Sequence, residues 1–242
     1  MRYLFVIFLL VSGCKKAENR HCFKFNGSQV VKEISLDYFD KLELHQHVEF
    51  VLVQDTINKV ILKGGENLLN DISLTVLDNI LTVKNNNKCN FLRRYDKVVK
   101  AEIHFINLLA LDFRGTENVT NIGTLNSFWF KMVLIEGSGS VNLNLNTEIV
   151  NVYSASFTDF TFTGQAGQAE FTLTSNSFCD TYGLKLKKSL KIESSSLGLV
   201  KVNADKVELK AEINYGGNIN YIGYPTNKIL NKNGKGDLVD MN

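Results

Sequence analysis

Ile135-Glu136-Gly137-Ser138-Gly139-Ser140-Val141-Asn142-Leu143-Asn144-Leu145 decides how this chain is read. A triplet of small residues ends one apolar run, and alternation of apolar and polar side chains begins directly behind it. Alternation with period two belongs to a strand that buries one face. Small residues let the backbone turn sharply without a Cβ clash. Outward from this stretch the unit recurs. Clusters stand at Gly115-Thr116, Ser154-Ala155-Ser156, Ser175-Asn176-Ser177, Ser194-Ser195-Ser196, Tyr215-Gly216-Gly217 and Gly234-Lys235-Gly236, successive ones about 20 residues apart, the period of a solenoid.

A second set of breaks falls between the clusters, at Gly123, Asn144 to Asn146, Gly164 to Gly167, Gly183, Asn203-Ala204 and Gly223. Each period is therefore expected to hold two short strands and two turns. One such coil cannot close its own core. Stacked coils bury inward side chains against their neighbours, and the ladder hydrogen bonds run from coil to coil. An antiparallel sandwich would also fit the half-period, but it does not call for a small triplet at every second turn. The expectation is an all-β chain with a β-helix-like solenoid over residues 114–242, its repeated Ser and Asn stacked in rows at the corners.

Residues 35–113 read as a β-rich part of a different rhythm, a meander of ordinary strands. Leu42 to Leu44, Val48 to Val53, Lys59 to Lys63 and Ala101 to Phe105 are apolar or alternating. Ser73–Leu77 and Ile80–Val83 flank Asp78-Asn79, a tight hairpin signal. Glu66 to Asp71 reads as one helical turn or a loop. The 242 residues hold a single proline, Pro225, and a net charge of +2. Few prolines suit a continuous ladder, because each removes a donor. So small a charge gives no reason to expect nucleic acid as a partner.

The N-terminus sets the expected compartment. Met1-Arg2 precedes an apolar run from Tyr3 to Val11, then Ser12-Gly13-Cys14. Positive residue, short apolar core and small residues are the order of a secretory signal over 1–13, and the run is shorter than the roughly 20 residues that span a bilayer. Val11-Ser12-Gly13-Cys14 resembles the lipobox of bacterial lipoproteins. That resemblance implies cleavage before Cys14, lipid on its thiol and attachment to the outer membrane, with the leaflet open. Two or three acyl chains hold firmly where one would be marginal. Residues 14–34 are expected to be a lipidated polar tether. Cys22, Cys89 and Cys179 remain, and they are open to two readings: a Cys22–Cys89 disulfide, or three small buried hydrophobes.

The chain resembles the head GIN domain family, described as autotransporter-adhesin-like and frequent among Bacteroidetes lipoproteins. The matching parts are Leu42 to Val53, Val60 to Gly64, the Val76 to Val83 hairpin, Ile135 to Val141, Asn220-Tyr221-Ile222-Gly223-Tyr224-Pro225, and Gly234-Lys235-Gly236-Asp237-Leu238. The resemblance covers one continuous domain over 35–242. It implies a right-handed β-helix-like fold with Gly-Ser-Gly turns, a role in adhesion, and no assigned catalytic residue. The chain departs from the pattern where Ser or Asn replaces glycine at three corners, which makes positive-φ turns doubtful there.

Few residues suggest a site. His45 and His47, two apart, would share one side of a strand and could bind a metal only with a third ligand from elsewhere; no metal or cofactor is expected. Arg93 and Arg94, beside Trp129, form a candidate surface for an anionic glycan or lipid headgroup, with core-plus-rim as the plainer reading. A pectate-lyase-like enzyme would need clustered acids, whereas Glu136, Glu148, Asp159, Glu170, Asp180, Glu193, Asp205 and Glu208 lie singly in the sequence. Lys185-Leu186-Lys187-Lys188 reads as a solvated turn. The expected function is a non-enzymatic envelope lipoprotein. It would be held to the membrane through Cys14 and bind a glycan or protein. A polysaccharide-active enzyme and a self-assembling structural component are the alternatives.

Overall fold

A computed structural model describes residues 26–87 and 98–242. Its 19 strands join into one sheet that coils on itself as a β-solenoid, with about seven turns, spaced about 20 residues apart, over 110–240. Lys41–His45 (β2) and Val48–Gln54 (β3) begin it. After Lys59–Gly65 (β4), a single helical turn Glu66–Leu69 (α1) and Ile72–Leu77 (β5), the chain returns through Ile80–Asn85 (β6) and Val99–Phe105 (β7). Ala110–Arg114 (β8) and Asn118–Ile122 (β9) follow.

The N-terminal part is not a separate meander. β2 lies between β6 and β8, and β3 between β7 and β9, all parallel. The β2–β3 coil is therefore the second layer of the stack although it comes first in the chain. Antiparallel strands close this end. β5 pairs with β6 through Asp78 and Asn79, both at positive φ (51° and 61°), as a two-residue hairpin requires. Gln29–Ser35 (β1) pairs with β4, and β4 with β7. Leu68 and Leu69 of α1 are buried over the end of the core. Residues 29–34, expected in the tether, thus belong to the sheet: β4 offers an edge, and Gln29–Ser35 satisfies it.

Leu125–Ile135 (β10), Ser140–Ala155 (β11) and Asp159–Ser175 (β12) are long strands, and β11 and β12 each run through three sides of a coil where two short strands were expected. Phe178–Thr181 (β13) with Leu184–Ser196 (β14), Val200–Asn203 (β15) with Glu208–Ile213 (β16), Ile219–Ile222 (β17) with Asn227–Lys232 (β18), and Leu238–Asp240 (β19) complete the stack. The alternation read from the sequence becomes interior columns. Phe50, Val119, Val141, Phe160, Cys179, Val200 and Ile219 lie one above another and are buried. Leu42, Leu111, Met132, Val152, Phe171, Ile192 and Ala211 form a second column. Phe160, Phe162 and Phe171 meet at 5.1–6.5 Å between ring centroids, in tilted and edge-on arrangements that suit their quadrupoles.

The small-residue clusters do stack at one corner, for a reason other than positive φ. Gly139 and Gly198 carry none; a Cβ on them would stand 2.1 Å from Glu117 O and 2.0 Å from Ser177 O of the coil below. They are glycine because the backbones nearly touch. The left-handed residues at these corners are Glu136 and Ser175, each at φ 60°. Buried serines fill the rest of the row. The Ser154 and Ser177 hydroxyls share a 2.7 Å hydrogen bond, and Ser196 Oγ donates to Ser177 O at 3.2 Å.

Candidate functional site

Of the residues singled out in the sequence, Cys14, Cys22, Cys89, Arg93 and Arg94 lie outside the described residues. Cys179 is an interior column residue, and its burial pushes the thiol pKa up, so it is a small core hydrophobe. Trp129 stands half-exposed on β10, and its indole N–H donates to Asn151 Oδ1 at 2.6 Å.

The histidines do not share a face. His45 ends β2 and meets Glu43 Oε1 at 2.7 Å, whereas His47 sits in the corner at φ 64° with its backbone N–H donating to Glu117 Oε2 at 2.6 Å. His104, on β7, lies between Asp55 Oδ2 at 2.8 Å and Glu102 Oε1 at 2.9 Å. Among the described residues no group of three or more His, Cys, Asp or Glu is placed to hold a metal ion.

Three of the outer acids are matched to lysines on other coils. Glu170 pairs with Lys191, Asp180 with Lys201 at 3.2 Å, and Glu148 with Lys188. Glu148 and Lys188 are two coils apart. They meet because Gly167 stands between them, where a Cβ would strike the Glu148 carboxylate at 2.6 Å. The lysine hydrogen bond holds Glu148 below the usual carboxylate range. Glu193 stacks over Glu212, and both raise the pKa of Lys191, behind the larger effect of its bond to Glu170. Lys185 to Lys188 lie in β14, not in a turn.

What the sequence did not announce is a ladder of amides on the third side of the coils. That side is formed by β10, β11, β12 and β14: Leu125, Leu145, Gly164 and Leu184 start its four parallel segments. Gln54, at the end of β3, anchors the ladder, accepting from the Asn126 backbone N–H at 2.8 Å and donating to Asn126 O at 2.9 Å. Asn146 Nδ2 then donates to Asn126 Oδ1 at 2.8 Å, and Gln165 Nε2 to Asn146 Oδ1 at 2.8 Å. Each bond polarises the next in such a chain. Each amide carries two N–H donors and a carbonyl with two lone pairs. Asn146 and Gln165 each donate one of these N–H groups in the ladder, and the second N–H of each and the Gln165 side-chain carbonyl have no partner among the described residues.

A groove of about 540 Å³ follows this ladder, from Thr124 past Asn144 and Gly164 to Gly183 and Lys185. Gly164, in its wall, takes φ 96°, and a Cβ there would lie 2.1 Å from Leu145 O and 2.6 Å from Asn144 Oδ1 of the adjacent coil, so only glycine allows this approach. Beyond Lys185 a second depression of about 280 Å³ continues past Asn203, Asp205 and Lys206. Trp129 is three residues from Asn126 on the same strand but does not line the groove, and Phe128 beside it is largely exposed. At the serine-rich corner, Phe157, Phe178 and Leu197 are exposed apolar side chains outside the groove.

Residues 38–225 match the family model described as "Putative auto-transporter adhesin, head GIN domain". The chain belongs to this family. Solved structures share this fold. A putative adhesin from Bacteroides fragilis matches with a TM-score of 0.79 at 22% identity, over 88% of this chain and 97% of that one. A putative adhesin from Parabacteroides distasonis matches with a TM-score of 0.67 at 19% identity, over 89% and 98%. A putative lipid binding protein from the same species gives 0.60 at 18% identity, over 90% and 98%. At such identities the likeness is one of fold. No curated protein sequence matches the chain. Among the described residues, no helix is long and apolar enough to cross a membrane.

Proposed function

We propose that this head GIN protein is a non-catalytic cell-envelope lipoprotein, tethered to the outer membrane by lipid on Cys14, that binds glycan along the amide groove. The observation that carries the reading is the Asn126–Asn146–Gln165 ladder, fixed at 2.8 Å per step with amide N–H groups and the Gln165 carbonyl unpartnered among the described residues. Sugar hydroxyls are paired donors and acceptors, and fixed amides meet them without the ordering cost of mobile side chains. An adhesin-type family supports binding over turnover. So does the pairing of Glu148, Glu170 and Asp180 with lysines, which leaves those carboxylates engaged.

The test is binding of the chain to an immobilised panel of neutral and acidic polysaccharides, wild type beside Asn146→Leu. The reading expects retention by at least one glycan and its loss in the variant, with products unchanged in length. Shortened polysaccharide, or equal retention by both proteins, would overturn it. The anchor is tested separately: Cys14→Ala should move the protein from the membrane fraction to the soluble one.

A further inference from the structure

The groove does not end symmetrically. At one end lies Asn126, tied to Gln54, whose amide is spent on Asn126 and on Ile106 O. At the other it runs into Lys185, which is in register with Gln165, and on to Lys206. Some lysines on the coils have partners: Lys188, Lys191 and Lys201 pair with acids, and Lys228 with the Tyr221 hydroxyl, whereas Lys131, Lys210 and Lys235 have no such partner among the described residues. Lys185 and Lys206 have none among the described residues, though they border one depression. Lys206 is held there by backbone at φ 59°, a conformation an L residue with a long side chain seldom adopts. Strain of this kind persists where the surroundings enforce it, and it clusters at binding sites. Here the Lys206 N–H donates to Tyr224 O at 3.0 Å, which fixes the turn.

Asp205 borders the same depression, with Oδ1 accepting from the Tyr224 N–H at 3.2 Å. Two lysines against one aspartate leave a net charge of one positive, which suits a single carboxylate better than a dianion. Coils of a parallel sheet rise about 4.8 Å each, close to the length of one sugar in an extended chain. A glycan lying along the solenoid axis would therefore meet one rung per sugar.

We infer, resting on the glycan reading above, that the ligand is an acidic oligosaccharide. It lies along the axis with neutral hydroxyls on Asn126, Asn146 and Gln165, and with a uronate carboxylate between Lys185 and Lys206. Both lysines are exposed point charges, so their contribution is salt-sensitive.

The experiment measures affinity for polygalacturonate, alginate and hyaluronan, each beside its carboxyl-reduced form, at low and high salt. The proteins are the wild type, Lys185→Ala/Lys206→Ala and Lys185→Arg/Lys206→Arg. The inference expects binding of at least one acidic polymer, weakened about tenfold or more by carboxyl reduction, by salt or by the double alanine variant, and kept by the arginine variant. Equal binding of an acidic polymer and its reduced form would overturn the inference while leaving the glycan reading standing. Loss of affinity in neither lysine variant would overturn it as well. Binding to none of the six polymers would overturn both.

Discussion

Gly198 shows what a single residue contributes to a stacked coil. It has ordinary φ, yet its α-carbon faces Ser177 O so closely that a methyl group would lie 2.0 Å away. Gly198→Ala must push two coils apart or break the Ser196–Ser177 bond beside it, and overpacking of this kind costs about 1–3 kcal/mol. A urea melt should show that loss without a change in slope. Glu102 gives a second case. Hydrogen bonds from Lys63 and then from His104 hold its carboxyl below the usual range. A depressed carboxylate stabilises the fold above its unfolded pKa, and that share is lost as pH falls through the lower folded value. Between about pH 5 and about pH 3 the melting temperature of the wild type should therefore fall more steeply than that of Glu102→Gln. Neither residue's role was legible in the sequence. Glycine at a corner suggested positive φ, whereas close approach between coils is visible only once the coils are stacked.

At the level of elements, alternation and corner spacing were readable because both are local. Val141 to Leu145 alternates whatever it packs on, and Ser154-Ala155-Ser156 is small whatever lies below it. The order of the coils was not local. β2 and β3 join the stack between strands that follow them by more than 30 residues, and nothing in Leu42 to Val53 marks that exchange. The three-sided course of β11 and β12 was hidden too, since Asn144 to Asn146 and Gly164 to Gly167 signal turns but form bends within continuous strands. The core these strands enclose makes a direct prediction. Phe171 is fully buried and touches both Phe160 and Phe162. Phe171→Ala should cost about 3–5 kcal/mol, read as a lower denaturation midpoint, with the parallel-sheet circular dichroism of the native state retained below it.

For the whole molecule, the fold puts together what the sequence scatters. Asn126, Asn146 and Gln165 lie 20 and 19 residues apart, and although Leu125-Asn126-Ser127 resembles Leu145-Asn146-Thr147, the ladder needs the coil register to be seen. Trp129, the residue the sequence offered, stands beside that groove and not in it. The amide side chains themselves report on the central claim, since each gives its own pair of side-chain N–H resonances. The most direct measurement is a titration of the isotope-labelled protein with an acidic oligosaccharide that it retains, following those resonances. The account predicts that the side-chain amides of Asn146 and Gln165 and the backbone of Lys185 move first and saturate together. Saturating shifts confined to the exposed Phe157 and Phe178 corner, with the ladder amides unmoved, would contradict it.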